Sequence, residues 1–152
     1  MHNRHATVLV IGDRGVLIEG ASGTGKTTLA LELLTVFSAQ GLFTRLVCDD
    51  QTYLVARHGR LVAQAPGPIA GLAEARGFGP APIAHQAAAV VDLVIRLVED
   101  SHAPRVSAEH EIIHEGIGLP VLDLPARATR RALYAVAAFL DLPPFGDKQV
   151  TP

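Results

Sequence analysis

The stretch Gly20-Ala21-Ser22-Gly23-Thr24-Gly25-Lys26-Thr27 satisfies the pattern G-x-x-x-x-G-K-[ST] in full, and the chemistry of that pattern is the holding of nucleotide phosphates. Its glycines let backbone N–H groups turn inward around an anion, and a helix beginning just after them adds the positive end of its dipole. Lys26 is then placed to neutralise the β- and γ-phosphates, and Thr27 to set its hydroxyl on Mg²⁺. The pattern sits between the apolar run VLI at 16–18 and a helical sequence, which is the context this chemistry needs. A glycine-rich turn with a solvated lysine would need no such context. Thr28 extends the set of candidate nucleotide contacts and reads equally well as an early helical residue.

A second acidic element follows at 46–50, where LVCDD ends an apolar run in two adjacent carboxylates, Asp49 and Asp50. Side chains alternate along a strand, so the two point in different directions and one can face the phosphates. An apolar strand ending in aspartate coordinates Mg²⁺ in ordinary phosphate-loop proteins. A carboxylate close to a γ-phosphate can also accept the proton of an attacking hydroxyl. Without the phosphate loop, a pair of turn-forming aspartates would be the simpler reading. Glu74-Ala75-Arg76-Gly77-Phe78-Gly79 adds a charged pair inside a glycine- and proline-rich segment. Beside a nucleotide, Glu74 can complete a metal site and Arg76 can stabilise phosphate charge. Away from one, the pair is a surface ion pair.

The elements that must position these groups are legible in part. The runs TVLVI at 7–11 and VLI at 16–18 flank Gly12-Asp13-Arg14-Gly15 and predict a hairpin ahead of the loop. Leu29, Leu33, Val36 and Phe37 recur at helical spacing, with Gly41 as a stop. RLVC at 45–48 predicts a short buried strand, and YLVAR and RLVAQ around His58-Gly59 predict two strands and a turn. The segment 66–82, dense in proline and glycine, is expected to be mostly loop. Residues 87–97 suit a strand or a buried helix. A short strand is expected at 121–124, an amphipathic helix at 126–140, and a tail at 143–152 that is loose or engaged with a partner. A doubly wound sheet would alternate strand and helix throughout, whereas the centre of this chain offers consecutive strands. The prediction is therefore an α/β domain over 1–142 with a mixed, largely antiparallel sheet and helices after the loop and at the C-terminus.

Composition narrows the function classes. At 152 residues and 49% hydrophobic content the chain suits one globular domain. A formal charge of −2 gives no overall electrostatic case for nucleic acid or an anionic membrane as partner. The apolar run at 87–95 is broken by Asp92 and is too short for a membrane span. A single cysteine, Cys48, cannot form an internal disulfide, which fits a reducing compartment and a cytoplasmic location.

Taken in order, RHATVLV, GVLIEGASGTGKTTLALELL, RLVCDD, APGPIAGLAEARGFG, AAVVDLV and GIGLPVLDL resemble the catalytic domain of bacterial HPr kinase/phosphorylase, in a short form without a separate N-terminal domain. The resemblance implies a P-loop kinase domain of the HPr kinase / PEP carboxykinase-like type, with ATP and Mg²⁺ as cofactors and an HPr-like phosphocarrier protein as acceptor. It implies a histidine in the opening strand, matched by His5, and a catalytic carboxylate in the acidic pair, matched by its second member, Asp50. It places the metal among Thr27, Glu74 and Asp49, with Arg76 as the neighbour of Glu74. A further arginine is expected downstream; Arg105 keeps the expected distance to GIGLP and is preferred to Arg96. Homo-oligomers, commonly hexamers, are also implied. The chain departs from the family pattern in DDQTY, in a longer TVFSAQGLFTRLVCDD, and in LPARATRRAL, where a Gly-Arg-Asn signature is not evident. These departures leave the reverse, phosphorolytic reaction open. Two other functions fit a phosphate loop: a small-metabolite kinase, and a nucleotide-binding regulatory module without catalysis.

Overall fold

The computed structural model describes residues 2–107 and 110–146. After a short strand β1 (His2–Arg4), the strands β2 (Ala6–Ile11) and β3 (Arg14–Gly20) form the predicted hairpin, with Ile11 opposite Arg14 and a two-residue turn at Gly12-Asp13. Gly12 takes φ 63°, which the tight turn requires and an L side chain resists. Helix α1 (Lys26–Ala39) follows the loop and is ended by Gly41 at φ 85°.

Strands β4 (Thr44–Cys48), β5 (Thr52–Arg57) and β6 (Arg60–Gln64) come next, with His58 and Gly59 both at positive φ in the β5–β6 turn. The segment 66–82 is more ordered than its composition suggests. It contains strands β7 (Leu72–Ala75) and β8 (Gly79–Pro82), paired antiparallel around Arg76-Gly77-Phe78. Prolines at 80 and 82 are tolerated because this ladder has only two strands, so both are edges. Residues 87–97 resolve as two strands, β9 (Ala88–Val90) and β10 (Leu93–Val98). Strand β11 (Glu111–His114) has no counterpart in the sequence reading. Strand β12 (Ile117–Pro125) is longer than expected, and the last helix α2 (Thr129–Phe139) shorter.

Six strands form the main sheet in the order β11-β12-β10-β3-β2-β4, with β10 parallel to both neighbours and every other pair antiparallel. A second sheet, β1-β5-β6-β9, is wholly antiparallel. The mixed, largely antiparallel architecture is as predicted.

Alternation within the strands explains the layering. Leu9, Ile11, Val16 and Ile18 pack with Leu29, Leu33 and Phe37 of α1 and with Val136 of α2. Val8, Val10 and Leu17 point the other way and pack with Leu54, Leu61 and Ala63 of the second sheet. The central strands are thus apolar on both faces, which is why TVLVI carries no polar alternation. Gly15 lies at the crossing from β9 to β10. Its N–H donates to Asp92 Oδ2 at 2.9 Å and its carbonyl accepts from the Asp92 N–H at 2.8 Å.

Cys48 ends β4 in the inter-sheet core. Burial pushes its thiol up to about 11 from an ordinary 9.0; a hydrogen bond with Thr52 opposes the rise and the neighbouring Asp49 charge adds to it. The folded protein keeps a proton that the unfolded chain loses at lower pH. This contribution to stability, on the order of 2 kcal/mol, is complete below about pH 9 and is lost as pH rises through about 11. Urea unfolding followed from about pH 8 to pH 11 is expected to show a smaller alkaline loss in Cys48→Ala than in the parent chain.

Candidate active site

The loop begins where β3 ends. Gly25 caps α1 at φ 95° with no side-chain cap, and no acidic residue lies in the first turn, so the helix terminus is left positive. Gly20 is needed for a different reason. A Cβ there would stand 2.7 Å from Thr24 Oγ1 and 3.0 Å from the Leu97 carbonyl. Thr24 is buried and donates to the Ala21 carbonyl at 2.7 Å. Lys26, also buried, directs its Nζ to the carbonyls of Gly20 at 3.0 Å and Ala21 at 3.3 Å. Its ammonium is therefore held at the loop rather than in bulk water.

A cleft of about 630 Å³ opens over the loop, and its lining includes Ser22, Gly23, Gly25, Lys26, Thr27, Thr28, Asp49, Asp50, Glu74 and Arg76. Three separate parts of the chain meet on Asp49. Its Oδ1 accepts from Thr27 Oγ1 at 2.7 Å and from Thr7 Oγ1 at 3.1 Å, and its Oδ2 accepts the Glu74 N–H at 3.0 Å. The hairpin β7–β8 is thereby drawn to the loop, carrying Glu74 and Arg76 with it.

Asp50 has a different setting. It takes φ 67°, its N–H donates to Thr7 Oγ1 at 3.2 Å, and its side chain is 64% exposed at the cleft. The left-handed backbone turns it away from the strand direction that Asp49 follows.

Among the described residues no three His, Cys, Asp or Glu side chains converge into a cage for a metal ion. The Thr27 hydroxyl and the Asp49 carboxylate meet directly, Glu74 lines the same cleft while tied to Asp49 by its backbone N–H, and the side-chain ligands the three can offer are all oxygen. Such a set suits Mg²⁺, which keeps several waters and is held through one or two carboxylates together with phosphates.

The remaining predicted residues lie elsewhere. His5 borders a separate cleft with Arg4, Glu19 and Arg96, and its Nδ1 is 4.0 Å from Asp50 Oδ1, beyond hydrogen-bond reach. Arg96 forms a two-pronged pair with Asp123 at 2.6 and 3.0 Å, which pushes its pKa upward. Arg105 lies in the exposed segment after the turn Asp100–His102, apart from the cleft over the loop.

Two positioning residues escape the sequence reading. Thr7 is fully buried and serves both aspartates; its only signal is a lone hydroxyl in an apolar strand. Arg127, at φ 58°, donates its backbone N–H to the Thr24 carbonyl at 2.9 Å and Nη1 to the Gly23 carbonyl at 3.2 Å. Glu99 holds its other prong at 2.9 and 3.0 Å. The connection from β12 to α2 thus braces the loop, which no local pattern announces.

The glycine-rich loop, the carboxylate pair and the two sheets make an α/β domain in which an acidic wall faces the start of a helix across one cleft. The chain belongs to the family of the HPr Serine kinase C-terminal domain, whose family model matches residues 1–138. It is 29% identical over 145 residues to the HPr kinase/phosphorylase of Clostridium beijerinckii and 30% identical over 146 residues to that of Clostridium tetani. Each alignment covers 88% of this chain and 46% of the relative. The chain thus spans about half the length of the curated relatives it matches. Among solved structures, the Hpr(Ser) kinase/phosphatase from Coxiella burnetii superposes with a TM-score of 0.76 at 26% identity, covering 92% of this chain and 88% of that one. No helix among the described residues is long and apolar enough to cross a membrane.

Proposed function

We propose that this chain is an ATP- and Mg²⁺-dependent protein serine kinase acting on an HPr-type phosphocarrier protein, with phosphorolysis of the phosphoserine to pyrophosphate as a second, dephosphorylating reaction. The observation that carries the reading is the convergence on Asp49 of the loop residue Thr27, the end of β4 and the hairpin bearing Glu74. Family membership supplies the acceptor class.

In this reading the loop amides and Lys26 hold the phosphates, and Thr27, Asp49 and Glu74 hold the metal. Bound Mg²⁺ supplies charge neutralisation on the transferred group. Asp50, solvent-facing beside that group, accepts the proton of the serine hydroxyl as its oxygen bonds to the γ-phosphorus and ADP leaves. In the dephosphorylating reaction an oxygen of inorganic phosphate bonds to the phosphoserine phosphorus as its bond to the serine oxygen breaks; the serine oxygen takes a proton from Asp50, and pyrophosphate is the product. Arg76 balances charge on the phosphates, and His5 borders the acceptor side next to Asp50. Arg105 is assigned to the site by the family pattern, reaching it when acceptor and nucleotide are bound. The working form is a cytoplasmic homo-oligomer, a hexamer by the same pattern. Positioning and charge stabilisation provide most of the acceleration.

The test is incubation of the purified chain with HPr, ATP and Mg²⁺, with phosphoserine read by mass spectrometry. A panel of hydroxylated metabolites is run in parallel. Phosphoserine on HPr is the expected product. Turnover with a metabolite alone, or ATP binding without transfer to any acceptor, would replace the proposal with one of the two other functions that fit a phosphate loop.

A further inference from the structure

A second cleft, of about 750 Å³, lies between α1 and α2 and is closed at one side by Pro143 and Pro144. Thr28 and Glu32 line both this cleft and the one over the phosphate loop, so the two share a border on α1. On the α1 wall, Thr28, Glu32, Val36 and Gln40 stand four residues apart and form one row along the helix. The α2 wall presents Leu133 and Tyr134, with Thr129 and Arg130 one turn before them.

The direction of a nucleotide across this border follows from the loop. Asp49, Asp50 and Glu74 line the cleft over the loop and none of them lines the α1–α2 cleft, so in the donor-site reading the transferred phosphate and its metal belong to the first. The rest of a nucleotide whose metal-bound end sits there extends across the border that the two clefts share at Thr28 and Glu32. Past Thr28 lies the α1–α2 cleft. We infer that this cleft receives the nucleoside of the bound nucleotide, with the base on the ring of Tyr134 and the ribose beside Glu32. The inference rests on the donor-site reading given above.

The lining suits such a guest. Val36, Leu133 and the two prolines give apolar walls, while a few polar groups stand at fixed points, as in pre-formed cofactor sites. Tyr134 is braced edge-on by Phe145, at 6.4 Å between centroids and 81° between planes, yet remains 46% exposed. An oriented aromatic face is thus presented to the cleft's surroundings, and a planar base gains from stacking on it. A carboxylate such as Glu32 is a natural acceptor for ribose hydroxyls.

Titration calorimetry of the full chain with Mg-ATP and with Mg-tripolyphosphate separates the two halves of the ligand. ATP is expected to bind more tightly than tripolyphosphate to the parent chain. Tyr134→Ala is expected to weaken ATP about tenfold and leave tripolyphosphate unchanged, with Tyr134→Phe restoring the ATP affinity. Lys26→Ala is expected to weaken both ligands. Equal losses of ATP and tripolyphosphate in Tyr134→Ala, or no loss of either, would overturn the nucleoside cleft while leaving the phosphate site standing. A parent chain that binds neither ligand would overturn the donor site and the cleft together.

Discussion

Changing Asp50 to asparagine is expected to lower phosphoserine formation about a hundred- to ten-thousandfold while ATP binding is kept, the range typical for loss of a general base. Asparagine suits this comparison for a backbone reason. Asp50 sits at φ 67°, and asparagine is among the few residues that occupy the left-handed region readily. The N–H bond to Thr7 is a main-chain bond and survives the change. What disappears is the capacity to take a proton. Asp49→Asn is expected to behave differently, because Asp49 accepts from Thr7, Thr27 and the Glu74 N–H. An amide has one acceptor oxygen and one donor nitrogen, so it cannot satisfy donors on both sides. The β7–β8 hairpin would lose its tie to the loop and the metal would lose a charge. Nucleotide affinity in the presence of Mg²⁺ should therefore fall along with transfer. Unchanged activity in Asp50→Asn would remove this residue as the base.

Gly15→Ala is expected to abolish soluble folded protein, or to lower stability by roughly 3 kcal/mol or more, although the glycine does not line the cleft over the loop. A Cβ at that position would stand 1.8 Å from the Val90 carbonyl oxygen and 2.8 Å from its carbon. Both atoms are backbone at the point where the chain passes from the second sheet to the first, so no side-chain rotation relieves the clash. Displacing Val90 also strains the paired hydrogen bonds between Gly15 and Asp92. Circular dichroism and urea unfolding of the variant would read the loss directly; a native-like midpoint would show that the crossing yields more easily than its geometry allows.

Local chemistry made part of this architecture legible. The hairpin before the loop, helix α1 and strand β4 follow from apolar period, turn glycines and one dense motif. The segment 66–82 was not legible, because proline and glycine content speaks for loop while its pairing is decided by distant partners. One is Leu46, whose N–H donates to the Ala84 carbonyl just beyond β8; the other is Asp49, whose carboxylate accepts the Glu74 N–H. Residues 87–97 resisted a choice between strand and helix because β10 is buried on both sides, which removes the polar alternation that marks a strand. The break at Asp92, which interrupts the apolar run at 87–95, also marks the switch between sheets. Within the site, sequence spacing brought Lys26, Thr27, the aspartate pair and Glu74 to one cleft. Arg127 and Tyr134 come from the far end of the chain, and only the packing of α2 against α1 reveals their relation to the loop.

The shared hydroxyl of Thr7 has a mechanical consequence. A threonine oxygen carries one hydrogen, and here it is given to Asp49 while a lone pair accepts the Asp50 N–H. The Asp49 carboxylate and the Asp50 main chain are therefore pinned to the same atom on a fully buried strand. Thermal drift of the β4 terminus thus moves the Asp49 side chain and the Asp50 main chain together with β2. In the proposed reaction, registration between the residue at the metal and the residue at the acceptor is built into the sheet instead of being restored at each turnover.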